Sequence, residues 1–198
     1  MGLTIVQAGE PVLRQVSLAL AAAEIALPAT QQLIEDMRET MRKAPGVGLA
    51  APQIGLPLQL AVIEDRPEYL KDVAAERLVE RERKPVPFLV LINPRIVEQS
   101  KDIAEFYEGC LSLAGFSALV GRSRGVTVEY TDEHAQPKRI EARGWFARIL
   151  QHEIDHLQGR LYIDQMETRS FTTLDNLNRY WKDLPIQTVR RQLGLDAR

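Results

Sequence analysis

The alternation of apolar and polar residues along the chain predicts two amphipathic helices. The first covers residues 30–43 and presents an apolar stripe with charged residues between its members: Leu33, Ile34, Met37 and Met41. Pro45 and Gly46 are expected to end it. The second helix follows a stripe of Trp145, Ile149, His152 and His156, flanked by Phe146, Leu150 and Leu157. Gly159 is a natural stop just after this helix.

Shorter apolar runs predict β-strands. Residues 58–64 and 88–93 have the length and composition of buried strands, and we expect the sheet to continue over residues 96–106. Residues 126–130 and 139–142 flank the polar stretch 132–137. This arrangement predicts a β-hairpin with its turn in the polar stretch.

The composition describes an ordinary globular protein and excludes some classes. A chain of 198 residues with 45% hydrophobic and 26% charged residues is expected to fold as one domain, residues 1–198. A net charge of -2 without a long basic block gives no indication of nucleic-acid binding, and no apolar run is long enough to span a bilayer. Because the first residues resemble neither a secretory signal nor a transit segment, we expect a cytoplasmic location.

Two segments stand apart from the predicted core. Residues 65–86 are rich in charge and have little apolar periodicity, which predicts an exposed helical insertion with a solvated face. Residues 171–198 are polar, and we interpret them as a C-terminal extension with short helices and no chemistry.

The strongest chemical signal is the His-Glu-x-x-His pattern of residues 152–156. Residues four apart lie on one face of a helix, so His152 and His156 can bind one metal ion. Glu153 is then placed beside the ion, where it can take a proton from a bound water molecule. Such a pattern also arises by chance, but the chain has only 3 histidines and two of them form this pair. The remaining one, His134, falls in the predicted hairpin turn and is expected to be solvated.

A catalytic site of this type needs a third protein ligand and an open position. The metzincin pattern would place a histidine where the chain has Tyr162, so that pattern fails. Glu167 and Asp175 are carboxylate candidates, but neither belongs to a recognisable second helical motif. Cys110 is the other candidate, and a set of one Cys and two His suits iron, zinc, cobalt or nickel. The alternative is that Cys110 is only a small buried hydrophobic residue.

The glycine-rich stretch 46–55 is not a nucleotide-binding loop. It matches G-x-G-x-x-A superficially, but a helix precedes it and Pro52 and Pro57 prevent a helix after it. It is better interpreted as the wall of a cleft, where exposed backbone pairs with a peptide-like substrate. Gln53 is then a side-chain donor for an oxyanion, although an ordinary loop glutamine is the simpler interpretation.

Three stretches taken in order resemble a known family. GVGLAAPQIG at 46–55, EGCLS at 108–112 and QHEIDH at 151–156 are similar to the three signature motifs of peptide deformylase, in its organellar-type and related bacterial branch. The resemblance covers most of residues 5–170. It departs from the family pattern at Leu113-Ala114 and at Gly121, which affects the loop after Cys110 and the substrate rim.

This resemblance implies a fold and a function. The implied fold is α+β, with mixed or antiparallel sheets packed around a central metal-binding helix that carries the His-Glu-x-x-His motif. The implied function is removal of the formyl group from formyl-methionyl nascent polypeptides, which releases formate. The partners implied are the formylated nascent peptide and the ribosome surface, with no membrane.

The resemblance also implies roles for individual residues. One ion per chain is held by Cys110, His152 and His156; it is usually Fe2+, with Zn2+, Ni2+ or Co2+ as substitutes. Glu153 is the base, and the Gln53 amide and the Leu111 backbone N–H meet the oxyanion. The implied substrate-binding residues are Val47, Gly48, Phe106, Gly109, Trp145 and Ile149. Glu108 and Arg122 are expected to pair and support the loop of Cys110.

Two alternatives remain at this point. A zincin-like peptidase would cut internal peptide bonds and would use a carboxylate as its third ligand. A binding protein on the same scaffold would hold a structural metal and release no formate. Glu153 argues against the binding protein, because a structural site has no use for a base at that position.

Overall fold

The fold is described by a computed structural model in which residues 2–196 are placed. Met1 and residues 197–198, which belong to the expected single domain 1–198 and C-terminal extension 171–198, lie outside the described residues. Five strands within residues 86–143 follow one another without a helix between them, and the sheets are antiparallel, as expected for an α+β fold. Among the described residues, no helix has both the length and the apolar character needed to cross a bilayer.

Two antiparallel sheets organise the fold. A five-stranded sheet has the order β1-β2-β3-β6-β7, and its strands are Gly48–Ala50, Leu60–Asp65, Val86–Gln99, Gly125–Thr131 and Pro137–Arg143. A three-stranded sheet has the order β4-β5-β8, with strands Ile103–Glu108, Phe116–Ser123 and Thr172–Thr173. Every pair of neighbouring strands in the described chain is antiparallel.

The helices differ greatly in length. The longer helices are α2 (Pro28–Lys43) and α4 (Gly144–Leu157). The shorter α-helices are α1 (Ala22–Ile25), α3 (Ala75–Glu80), α5 (Leu174–Asn176) and α6 (Ile186–Gln192), and a π-helical turn covers Leu177–Trp181. The predicted helix at 30–43 is confirmed, although it begins at Pro28, where the fixed φ of proline suits the first helical turn.

Strand β2 of the large sheet is buried on both faces, and this determines where α4 packs. Along β2, Leu60 and Val62 belong to a core cluster with Met37 and Met41 of α2. Ala61, Ile63 and Leu91 belong to a second cluster with Ile149, Leu150, Ile154 and Leu157 of α4. The two clusters follow from the alternation of side chains along a strand. The sheet therefore lies between the two long helices.

The strand predictions were correct in outline and wrong in two places. The hairpin is confirmed, with β6 and β7 flanking the predicted turn. The predicted strand 96–106 is interrupted, because Ser100 and Asp102 form a polar turn in which Ser100 Oγ donates to the Asp102 carbonyl. The chain changes sheets there. Residues 48–50 were expected to be loop but form β1, since long-range pairing of Gly48 with Ile63 overrides the low strand propensity of glycine.

The charged segment 65–86 is only partly an exposed helix. Its helix α3 has no buried residue, as expected. Arg81 and Arg83 differ from the prediction, because their guanidinium groups lie 4.9 and 5.2 Å from the ring of Trp145. The backbone N–H of Trp145 donates to the Arg81 carbonyl at 2.8 Å, so the end of this segment is bound to the start of α4.

Candidate active site

Two distant parts of the chain bring one sulfur and two imidazoles together. Cys110 follows β4, and His152 and His156 lie in the last two turns of α4. Ligand atoms of these three residues all lie within 4.8 Å of one another, and Cys110 Sγ is 3.3 Å from His156 Nε2. A thiolate with two imidazoles is a donor set for a transition metal. Cys110, His152 and His156 therefore fit the metal ion that the sequence implied.

The sulfur of Cys110 accepts further hydrogen bonds. The Gln53 Nε2 and the Ser112 backbone N–H each lie 3.4 Å from Sγ. Donors directed at sulfur favour the thiolate, which is the form that binds a metal. The loop itself is a tight turn, since the Leu113 N–H donates to the Cys110 carbonyl at 3.0 Å.

His152 is oriented by a buried carboxylate. Its Nδ1 lies 3.0 Å from Glu108 Oε2, which leaves Nε2 available to a ligand. Burial alone would lower the pKa of His152, but its hydrogen bonds with Cys110 and Glu108 outweigh burial and hold the pKa above its ordinary value. Burial, together with the nearby charge of His152, lowers the pKa of His156. A carboxylate that fixes one ring nitrogen is the usual support of a metal-binding histidine.

Glu108 belongs to a larger buried network of charges. Arg122 binds its two carboxylate oxygens through Nε and Nη2, both at 3.0 Å, and Arg148 donates to Oε1 at 2.5 Å. Arg122 also pairs with Asp155, which is on α4. Burial would raise the pKa of Glu108, but the hydrogen bond with His152 and the charge of Arg122 hold it far below its ordinary range. The predicted pair of Glu108 and Arg122 is present.

Glu153 lies beside this group and has a free oxygen. The residue is 3% exposed, and none of the residues described here hydrogen-bonds its Oε2. Burial raises the pKa of Glu153 to about 7. A carboxyl group with a pKa near neutrality can both take and return a proton at physiological pH.

A cavity of about 450 Å³ opens next to these residues. Most of the predicted site residues line it: Val47, Gly48, Gln53, Gly109, Cys110, Leu111, Trp145, Ile149, His152 and Glu153. Phe106 does not line it, which differs from the prediction. It is 6% exposed and packs edge-on against Trp145, and the guanidinium of Arg148 lies 5.1 Å from its ring. Arg148 therefore lies at the wall that Phe106 was expected to share with Trp145.

Sequence reasoning missed several residues of this wall. Arg148 is four positions before His152 on the same helical face, so the stripe that indicated the metal site also contained a signal for it. Leu113 and Ala114, noted as departures from the family pattern, line the cavity together with Phe116 and Leu174. No pattern in the sequence indicated that Leu174 lines the cavity, because it falls in the segment interpreted as a polar extension.

The antiparallel α+β fold and this site together define a class of protein. A Cys-His-His donor set, a buried carboxylate of raised pKa and an adjoining apolar cavity are the parts of a metal-dependent hydrolase. The family model described as Polypeptide deformylase matches residues 3–171. The chain thus belongs to the polypeptide deformylase family, whose enzymes remove the formyl group from the N-terminus of nascent peptides.

Curated relatives agree with this assignment. The chain is 47% identical over 193 residues to peptide deformylase 1 of Bifidobacterium longum, covering 97% of this chain and 86% of the relative. It is 44% identical over 191 residues to the chloroplastic peptide deformylase 1A of Solanum lycopersicum, covering 96% of this chain and 67% of the relative. Both the family and the activity predicted from the three motifs are confirmed.

Solved structures share the fold. The crystal structure of a peptide deformylase from Synechococcus elongatus in complex with actinonin is 38% identical, with a TM-score of 0.70 and coverage of 89% of this chain and 82% of that one. The Met-Ala-Ser-bound peptide deformylase of Acinetobacter baumannii is 28% identical, with a TM-score of 0.75 and coverage of 84% and 99%.

Proposed function

We propose that this enzyme hydrolyses the formyl amide of formyl-methionyl nascent polypeptides with one metal ion held by Cys110, His152 and His156. The observation that carries the proposal is the position of Glu153. Its carboxylate has an oxygen free of partners within the described chain and lies against the ligand group at the wall of an apolar cavity. The Met-Ala-Ser peptide bound to the A. baumannii relative supports a peptide substrate that begins with methionine.

The donor set supports a borderline or soft divalent ion. We propose Fe2+ as the ion, with Zn2+, Ni2+ or Co2+ as substitutes, because imidazole and thiolate ligands suit all four. Such an ion, when bound, supplies Lewis acidity that acidifies water and polarises a carbonyl group. Glu108 contributes by holding His152 in the tautomer and orientation that binding requires.

Glu153 is proposed to move the proton. It takes a proton from the attacking water and later delivers it to the amine that leaves, so one group serves as base and then as acid. Its raised pKa, about 7, suits both steps. Burial causes that pKa, and burial also keeps competing hydrogen-bond donors away from its Oε2.

Gln53 and Leu111 are proposed to stabilise the oxyanion. The Ala50 N–H donates to Gln53 Oε1 at 2.9 Å, which turns the amide nitrogen toward Cys110. Leu111 lines the same cavity, between Cys110 and Ser112, which the Gln53 amide nitrogen approaches to 3.4 Å. Losing one donor of this kind costs about 2.7–4 kcal/mol of transition-state stabilisation.

The cavity supports binding of an unbranched apolar side chain. We assign Val47, Trp145 and Ile149 to the methionine side chain, and the backbones of Gly48 and Gly109 to the substrate backbone. Arg148 closes the wall behind them, because its guanidinium is held by Glu108 and by the carbonyl groups of Ala104 and Val120.

The zincin-like peptidase is less well supported. The group of potential ligands found among the described residues contains Cys110 and neither Glu167 nor Asp175. We therefore expect the enzyme to release formate from formyl-Met-Ala-Ser and to leave an internally quenched peptide uncut.

The decisive experiment measures formate release anaerobically and determines metal content on the same sample. Glu153→Ala should keep the metal and lose turnover, while Cys110→Ser should lose or change the metal. Wild-type protein that carries one equivalent of metal but releases no formate would refute the proposed function. Glu153→Ala with full turnover would refute only the role of that residue.

We further propose that the enzyme acts in the cytoplasm, at the ribosome surface where nascent chains emerge. A lone thiol that must stay reduced to bind metal supports a reducing compartment. Fractionation of cells that express a tagged enzyme, with and without ribosome pelleting, tests both parts.

A further inference from the structure

The chain beyond the family match reaches the wall of the active-site cavity. The match ends at residue 171, and the next two residues form β8, which pairs with Phe116 and Ser117 at the start of β5. The Leu174 N–H then donates to the Gly115 carbonyl at 2.9 Å. Leu174 is thereby fixed at the cavity that Cys110 and Glu153 also line.

Three large apolar side chains are exposed side by side at this point. Phe116, Phe171 and Leu174 are 39%, 42% and 42% exposed. The rings of Phe116 and Phe171 stack at 5.1 Å with an angle of 7° between their planes. Phe116 and Leu174 line the cavity, so this apolar rim is continuous with the catalytic site. Exposed apolar side chains that adjoin a cavity are typical of ligand contacts.

The ligand of the apolar rim is inferred from the path that the peptide chain of a bound substrate must take out of the cavity. With its formyl group at the metal ligands and its methionine side chain in the cavity, the rest of the peptide has to pass the cavity mouth. The apolar rim stands at that mouth, on the side formed by the loop of Cys110 and by Leu174. A substrate side chain that follows the methionine can cover the rim, and it gains free energy only if it is apolar.

We propose that Leu174, together with Phe116, forms a subsite that favours formylated peptides with a large apolar residue after the methionine. This inference rests on the proposed function and adds a preference to it. Phe171 acts through Phe116, because its ring stacks on Phe116 and it does not itself line the cavity.

The test compares substrates that differ only after the methionine. Formate release is measured with formyl-Met-Ala-Ser, formyl-Met-Leu-Ser and formyl-Met-Ala-Leu, for the wild type and for Leu174→Ser. We expect the wild type to prefer one of the two leucine peptides. The variant should lose about tenfold in kcat/KM for that peptide, mainly through KM, since a missing apolar contact has about that effect. Formyl-Met-Ala-Ser should lose less kcat/KM than that peptide, so that the ratio of the two kcat/KM values falls in the variant.

Two further variants separate a subsite from a structural role. Leu18→Ser is the matched control, because Leu18 is a 66% exposed leucine that does not line the cavity. Leu174→Met should restore the preference, since methionine keeps an apolar side chain of similar volume. A thermal unfolding curve of each variant identifies loss of folding, in which case Leu174→Ala replaces Leu174→Ser.

The outcomes are distinct. An equal loss of kcat/KM for all three peptides, or no change for the leucine peptides, overturns the subsite. A wild type without formate release overturns the proposed function instead. In that case the subsite is tested by calorimetric binding of the product peptides Met-Leu-Ser, Met-Ala-Leu and Met-Ala-Ser. Equal affinities of the wild type for all three peptides would overturn the subsite.

Discussion

Gly48 provides the space that the carboxyl group of Glu153 occupies. A Cβ atom added to Gly48 would lie 2.1 Å from Glu153 Oε1 and 2.5 Å from its Cδ. These distances are far shorter than any real contact, so a side chain at position 48 and this position of Glu153 exclude each other. The glycine at the start of β1 therefore makes room for the carboxylate that we propose as the proton-transfer group.

We predict that Gly48→Ala displaces Glu153 and lowers kcat by about a hundredfold or more, the usual effect of misplacing a catalytic group by about 1 Å. Metal content should not change, because Cys110, His152 and His156 are not touched. Gly125→Ala is the control, since the nearest atom to its added Cβ is at 3.6 Å. Normal formate release by Gly48→Ala would show that Glu153 has room elsewhere.

Glu108→Gln should damage both stability and metal binding. The change leaves Arg122 and Arg148 buried without their shared carboxylate, which we expect to cost about 3–5 kcal/mol in the free energy of unfolding. It also weakens the support of His152, so metal affinity should fall by about 10-fold to 100-fold. Urea unfolding and metal titration measure the two effects. Glu98→Gln, which breaks an exposed pair with Arg139, should change stability by at most about 1 kcal/mol.

Gln7 is predicted to position the loop of Leu111 from the N-terminal segment. Its Nε2 donates to the Leu111 carbonyl at 3.0 Å, and its Oε1 accepts from the Ala114 N–H at 3.3 Å. Gln7→Ala should lower kcat by about threefold to tenfold, equivalent to one hydrogen bond, with metal content unchanged. Gln32→Ala removes an exposed hydrogen bond to Asp36 on α2 and should leave kcat unaltered. Equal kcat values for the two variants would contradict the positioning role.

Asp132 is predicted to make stability depend on acid pH. Burial would raise its pKa, but the N–H groups of Gln136 and His134, at 2.8 and 2.9 Å, hold the pKa below its ordinary value. A lowered folded-state pKa stabilises the fold above the unfolded-state pKa of about 3.9, and this contribution disappears as the pH falls through the folded-state pKa.

Asp132→Asn should therefore lower the free energy of unfolding by about 1 kcal/mol at pH 7. The difference from the wild type should shrink below a pH of about 4. Urea unfolding at a series of pH values measures this, with the exposed Asp72→Asn as control. A difference that stayed constant down to pH 2 would show that the charge of Asp132 is not what stabilises the turn.

The sequence predicted best what depends on local spacing. His152 and His156 share a helical face because of their separation, and the hairpin turn at 132–137 is marked by its own polar residues. The role of Cys110 was harder to predict, because no rule based on local spacing places a loop sulfur against a distant helix. Reasoning from residues left it open between ligand and buried residue, and the resemblance to the family decided for ligand.

The features that sequence analysis did not predict depend on the reach of long side chains and on pairing between distant strands. Phe106 was assigned to the cavity, but the long side chain of Arg148 crosses its face and fills that place. Gly48 was expected in a loop, yet it pairs with Ile63 across the sheet. Leu174 reaches the cavity because β8 pairs with β5, and a strand of two residues is too short to leave a periodic signal in the sequence.

The attachment of residues 81–83 to α4 divides the charged segment into an exposed part and a part fixed to the core. At the junction, Glu82 and Gly144 both have positive φ, 47° and 58°, and a Cβ on Gly144 would lie 2.6 Å from the Arg81 carbonyl oxygen. One added residue here would shift Trp145 and reshape the wall of the active-site cavity. Length changes at 71–74, before α3, would be absorbed at the surface. That stretch is consequently the place to insert a tag or a fluorophore without loss of turnover.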